Sequence, residues 1–324
     1  MSRRDRPAAA PAAAAARPRD PFARAWTALW FAERDPALAS VLRIGYGVLL
    51  LVNVLLWLPD LRLWFTEGGL VPAAVGRGLV TEGAPTILTW FDGAWWLWTC
   101  YGALVASAAL LTVGWHSRVQ AIVVLVLLTS FQHRNYAIVD GEDTLFRLYA
   151  FYLALCPAGW AYSLDARRRR RAGRAEPTPV PWALRLFQLQ ISALYLSSVI
   201  EKALGSDWWD GTALYYVARA EAAFGKLPLP AVVFEQLWLV KLMTWGVLAL
   251  EAALPILLWI PRSRRLALAV GVVFHLAIEY AMNLFLFHWL MILGLLAFAE
   301  RDELRWPPWR RRAAPTAARS ASPG

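Results

Sequence analysis

The chain has 324 residues, of which 59% are hydrophobic and 17% charged, with a mean hydropathy of +0.43 and a formal net charge of +10. That composition lies outside the globular range and belongs to polytopic membrane proteins. The arginines cluster between apolar stretches, which is the pattern of membrane topology, so no nucleic-acid partner is expected despite the positive charge. Cys100 and Cys156 both fall inside apolar segments. They offer neither metal-ligand spacing nor a disulfide framework and read as small buried hydrophobes.

Residues 1–20 are mostly Arg, Ala and Pro, without the apolar core of a secretory signal. They are expected to be a disordered tail, as is the basic segment 306–324, leaving one transmembrane domain over 21–305. Apolar segments follow at about 38–58, 94–113, 118–133, 144–162, 182–203, 237–260, 265–282 and 284–299. The first has 21 residues, enough at about 1.5 Å per residue to cross a hydrocarbon core of about 30 Å. The third and last are short, and Asn283 is a weak break between the last two, so a count of seven stands as the alternative to eight. Eight spans put 23 arginines and lysines in the segments on the N-terminal side of the membrane, against 5 on the other. Both termini are therefore expected to be cytoplasmic in a multi-pass protein, with a bacterial inner membrane as its location. No alternating strand pattern stands out, and the expected class is an all-α helix bundle in a lipid bilayer.

The outer connections carry their own signals. Trp57, Trp64, Trp90, Trp95, Trp96, Trp208 and Trp209 gather near the predicted outer ends, as an interfacial aromatic belt does. Residues 59–93 are rich in Gly and Pro. In 211–224, Thr212 is placed to cap a short helix that lays Tyr215, Tyr216 and Phe224 along the outer face.

Chemistry concentrates in the fifth apolar segment. Gln188, Ser192, Tyr195, Ser198 and Lys202 recur at spacings of three and four and share one helix face. Polar groups in lipid face the bundle interior, either as glue between helices or as the lining of a site. Lys202 is one of three lysines among thirty arginines. An amine can release its proton when desolvated and act as a base, which a guanidinium cannot. The bland reading is a lysine that snorkels to the headgroups or pairs with Glu201 or Asp207. His275 and Glu279, four apart, are expected to share a face, as a structural pair or a proton relay; two ligands are too few for a zinc site, and no metal is expected. Asp143 and Arg147 form an expected one-turn ion pair, while Arg43, Arg185 and Glu251 with Pro255 read as packing or pocket-lining groups.

The run YLSS, Lys202, then DWW and GTALYYV resembles the signature of the horizontally transferred transmembrane domain (HTTM) family. The resemblance extends through LRIGYGVLL, PDLRLWFTEGGLVP, DTLFRLYAFYLALCPAGWAYSLDA and Phe274-His275. That family includes the membrane half of vitamin K-dependent gamma-carboxylases and is similar to membrane proteins that mature a bacterial sporulation-delaying toxin. In the carboxylases, a lysine matching Lys202 is held to deprotonate vitamin K hydroquinone, and epoxidation then drives carboxylation of a glutamate. The resemblance thus implies Lys202 and His275 as catalytic residues. Tyr195, Trp208, Trp209 and Glu279 would line the site for reduced vitamin K or menaquinol. The chain departs from the carboxylases at Glu142 and Asp143, where they carry an Asn-His pair, and shows no counterpart of their large soluble portion. A secreted peptide or a separate soluble partner protein would then be required, and a non-redox maturation factor is the alternative to a quinol epoxidase.

Overall fold

A computed structural model describes residues 20–32, 36–79, 84–175, 182–220, 225 and 231–300. The two tails expected to be disordered lie outside the described residues apart from Asp20, and so does Phe224. Helices dominate, with one isolated bridge between Gly225 and Met282 and no strand among the described residues. The all-α expectation holds.

Local chemistry explains where the helices start and stop. Helix α1 (Pro21–Phe31) opens on Asp20, whose carboxylate accepts the Phe22 and Ala23 N–H groups at 3.2 and 3.0 Å. Helix α2 (Ala37–Leu56) runs through a 3-10 turn into α3 (Leu61–Phe65), and α4 (Ala73–Leu79) follows. Helix α5 (Ala94–Val113) stops at Gly114, whose φ of 74° is the left-handed value a helix end needs and glycine adopts freely. Helices α6 (Ser117–Arg134) and α7 (Gly141–Leu155) come next. Asp143 spends its carboxylate on the Asp140 N–H at 3.3 Å and on Gln132, whereas Arg147 turns to His133 at 3.4 Å. Helix α8 (Leu164–Arg171) is capped by the Ser163 hydroxyl, which accepts the Ala166 N–H at 2.9 Å. Beyond it lie α9 (Trp182–Ala203), α10 (Ser206–Trp209), α11 (Ala213–Arg219), α12 (Ala231–Phe234), α13 (Leu237–Leu257), α14 (Arg264–Ala281) and α15 (Phe287–Leu296). Thr212 does precede α11, but its hydroxyl turns back to the Asp207 carbonyl at 3.5 Å and makes no cap bond.

Each of the eight apolar segments therefore carries one helix. Among the described residues, four are long and apolar enough to cross a membrane: α2 with its continuation to Phe65, α5, α9 and α13. Exposed apolar side chains such as Val48, Val52 and Leu55 on α2 and Leu266 and Val273 on α14 suit contact with lipid. The last segment differs most from expectation. Its helix α15 has 10 residues, about 15 Å, because Ala297, Phe298 and Ala299 turn into tight bonds to the third residue back. It is a buried plug that packs on α2, α7, α9 and α14. Gly294 lets it in: a Cβ there would stand 2.3 Å from Tyr149 Oη and 2.7 Å from Ile191 Cδ1. Tyr149 Oη in turn donates to the Leu290 carbonyl at 2.7 Å.

The other bundle half is fastened by Arg43. Its guanidinium is fully buried and donates to four carbonyls: Ala158 at 3.0 Å, Tyr162 at 2.7 Å, and Leu111 and Thr112 at the end of α5. Terminal helix carbonyls lack partners within their own helix, and a cation at that end also meets the helix dipole favourably. Arg43→Met is expected to lower stability by roughly 3 kcal/mol or more, because the carbonyls stay buried without their donors. Thermal unfolding in detergent measures this, and an unchanged midpoint would show the clamp to be dispensable.

Candidate functional site

The polar face of α9 divides into two halves. In the lower half, Arg185 donates to Gln188 Oε1 at 2.7 Å and Gln188 Nε2 donates to the Ala297 carbonyl at 2.6 Å. Trp259 Nε1 donates to Ser192 Oγ at 3.0 Å. These bonds join α9 to the ends of α13 and α15 and act as glue between helices.

The upper half lines a cavity of about 370 Å³ between α9, α13, α14 and α15. Its polar wall holds Tyr195, Ser198, Lys202, Glu251 and His275, and its apolar wall includes Leu194, Phe287 and Met291. Lys202 Nζ lies 2.7 Å from Glu251 Oε2 on α13 and also donates to Ser198 Oγ. Ser198 Oγ donates to the same carboxylate oxygen at 3.1 Å. Trp208, on α10, sets its ring 5.4 Å from the ammonium, within cation–π range. The lysine is 22% exposed and the glutamate 8%, so neither snorkelling nor the neighbouring Glu201 or Asp207 describes its environment.

A second chain of groups starts on the same wall. Tyr195 Oη is 2.6 Å from His275 Nε2, and His275 Nδ1 is 3.0 Å from His288 Nδ1. One consistent assignment has Tyr195 donating to His275 and His275 donating to His288. The reverse is equally satisfied, so a proton can be handed along the row.

Of the residues singled out in the sequence, the structure brings Lys202, Tyr195 and His275 to one cavity, with Trp208 behind the lysine. Trp209 is turned outward, exposed, with its Nε1 on the Ala203 carbonyl at 2.7 Å. Glu279 is buried one turn from His275 but stands outside the cavity wall. Glu251 reads in the sequence as a packing or pocket-lining group, and the structure puts it in the cavity wall. One member of the site escapes sequence reasoning: His288 draws no attention at all, and a histidine inside the apolar run FHWLMILG is its signal. Pro255 adds a further feature: lacking an N–H, it cannot bond the carbonyl of Glu251 one turn earlier.

The Lys202–Glu251 contact has a direct test. Lys202→Met, Glu251→Gln and the double variant are expected to be non-additive by about 1–3 kcal/mol, since each single change strands the partner. Unfolding midpoints measure the cycle, and additive effects would dissolve the pair.

Comparison with known proteins follows the same residues. The chain is 26% identical over 189 residues to the uncharacterized protein YitO of Bacillus subtilis (strain 168), covering 55% of this chain and 58% of that protein. It is 23% identical over 207 residues to the sporulation-delaying protein SdpB of the same organism, covering 60% and 62%. The chain thus matches less than two thirds of the length of these curated relatives. No solved structure matches it. The relatives and the apolar helices together fit a bacterial membrane protein. The HTTM domain model matches residues 86–303, which include the whole cavity wall, and the chain belongs to the HTTM domain family.

Proposed function

We propose that this protein is a multi-pass protein of the bacterial inner membrane, with its N-terminus in the cytoplasm, whose cavity performs proton transfer on a flat, weakly acidic hydrophobic ligand of the quinol type. One observation carries the reading: a Lys–Glu–Ser cluster and a Tyr–His–His row converge on a single apolar-walled cavity. A volume of about 370 Å³ falls within the range of roughly 300–1,000 Å³ of small-molecule sites. Leu194, Phe287 and Met291 suit a ring system, and the polar wall suits its hydroxyls. Reduced vitamin K or menaquinol fits these walls and would supply the reducing equivalents when bound.

The chain's own residues divide the work. Lys202 and Glu251 exchange one proton across 2.7 Å; when it rests on the carboxylate, the free amine faces the cavity as a base. Ser198 fixes the amine and the carboxylate together, and Trp208 covers the cationic form. Tyr195 and His275 supply a second donor or acceptor on the polar wall, with His288 as the next station. Lys202→Met should abolish turnover of a reduced naphthoquinone in oxygen and bicarbonate, followed as epoxide by chromatography, while the protein stays folded. Lys202→Arg should lose activity as well, because a guanidinium keeps its proton. Equal epoxide from wild type and Lys202→Met would remove the lysine from the chemistry.

A second reading rests on the similarity to the sporulation-delaying protein, which extends over 207 residues. In it the protein is a partner-dependent maturation factor, and the cavity holds part of a secreted peptide. Co-purification of a small peptide that Lys202→Met fails to retain would favour this reading.

A further inference from the structure

We propose that a second cavity, at the end of the bundle opposite Lys202, binds the phosphate of an acidic phospholipid headgroup. This cavity has a volume of about 630 Å³ and lies where α5 and α7 end and α6 begins, against one face of α8. Arg118, Arg168, Arg169 and Arg174 line it together with His116.

The geometry separates these arginines from the rest of the run Arg167–Arg171. Helical spacing turns Arg168, Arg169 and Ala172 toward the cavity, whereas Arg167, Arg170 and Arg171 are not in its wall. The inward pair is held in place. Arg168 stacks 4.4 Å from the Trp115 ring and sets Nη1 3.3 Å from His116 Nε2. Arg169 Nη2 donates to the Gly159 carbonyl at 2.7 Å, with Trp160 6.0 Å from its guanidinium. Guanidiniums fixed in advance lose less freedom when they bind, and their planar fork suits phosphate oxygens.

Nothing on the wall neutralises them. Asp165 is the one acid there, and its carboxylate accepts the His116 N–H at 2.8 Å, the Ser117 N–H at 3.0 Å and the Ser117 hydroxyl at 3.2 Å. Its charge therefore closes the start of α6. Among the described residues, none of the four arginines forms an ion pair with a carboxylate. Such a charge imbalance calls for an anion with several acceptor oxygens.

A lipid is the source that the surroundings favour. Val113, Trp115, Val119 and Ile122 are exposed on the flank of the same cavity, giving acyl chains an apolar surface directly beside the arginines. The arginine asymmetry places this end at the cytoplasmic leaflet, whose headgroups are negative.

The test titrates phosphatidic acid, phosphatidylcholine, inorganic phosphate or pyrophosphate into the purified full chain in detergent and follows the unfolding temperature. Phosphatidic acid should raise it and phosphatidylcholine should not. Arg168→Gln/Arg169→Gln should weaken the half-effect concentration by roughly thirtyfold. Arg118→Gln/Arg174→Gln, which breaks no hydrogen bond among the described residues, should weaken it comparably. Arg167→Gln/Arg171→Gln removes the same charge outside the cavity and should leave it nearly unchanged. A shift by inorganic phosphate or pyrophosphate alone, lost in the same variants, would support the phosphate site and assign it to a free anion. Equal losses in all three variants, or no shift with any phosphate, would overturn the proposal.

Discussion

Inside an apolar bundle every polar group must find its partner in the protein, because lipid offers none, and this constraint arranges most of what is distinctive in the fold. Arg43 shows it most plainly. A fully buried guanidinium would be ruinous alone, yet it sits against four carbonyls at the end of α5 and in the 158–162 segment. The result ties α2 to two connections more than sixty residues away in the chain. Tyr46 and Tyr101 do the same on a smaller scale, donating to Phe146 and Val54 carbonyls at 3.0 and 2.9 Å.

The same constraint separates structural polarity from chemical polarity along α9. Gln188 and Ser192 are buried and meet partners in neighbouring elements. Tyr195, Ser198 and Lys202 also meet partners, but on one side only, since their other side opens on the cavity. Here the difference between lysine and arginine matters. Arginine serves where a permanent cation must hold carbonyls, as at Arg43 and Arg169. The one lysine of the cavity instead faces a carboxylate, that of Glu251.

Periodicity makes the helices and their polar face legible in the amino-acid sequence, because both are properties of one segment. Eight apolar segments correspond to eight helices, and the spacing of Tyr195, Ser198 and Lys202 puts them on one side. What a segment's own pattern does not contain is the identity of the neighbouring helix. Glu251 lies 49 positions from Lys202 and His288 lies 13 from His275, and neither distance follows any helical repeat. Nor does hydropathy foretell that 284–299 forms a short plug: its length is set by a tight turn at Ala297 and by the close approach that Gly294 permits. Thr212 fails as a cap for a similar reason, since Asp207 offers its hydroxyl a competing carbonyl.

The depth of the cavity follows from a mismatch between α9 and α13. Lys202 is at the end of α9, but Glu251 is in the last third of α13, so α13 continues well beyond the level of the pair. That overhang is covered by the segment after α9. Leu214 N–H bonds to Thr244 Oγ1 at 3.3 Å and Trp245 Nε1 to the Trp209 carbonyl at 3.1 Å. The segment DWW-x-GTALYYV thus covers the N-terminal half of α13, and it brings Trp208 down over the ammonium. Gly211, with a φ of 75° and Lys241 at 2.9 Å from where a Cβ would stand, is what lets the chain turn back so tightly against α13. With that end closed in this way, Ser197 and Glu201 mark the open side of the cavity, along the flank of α9.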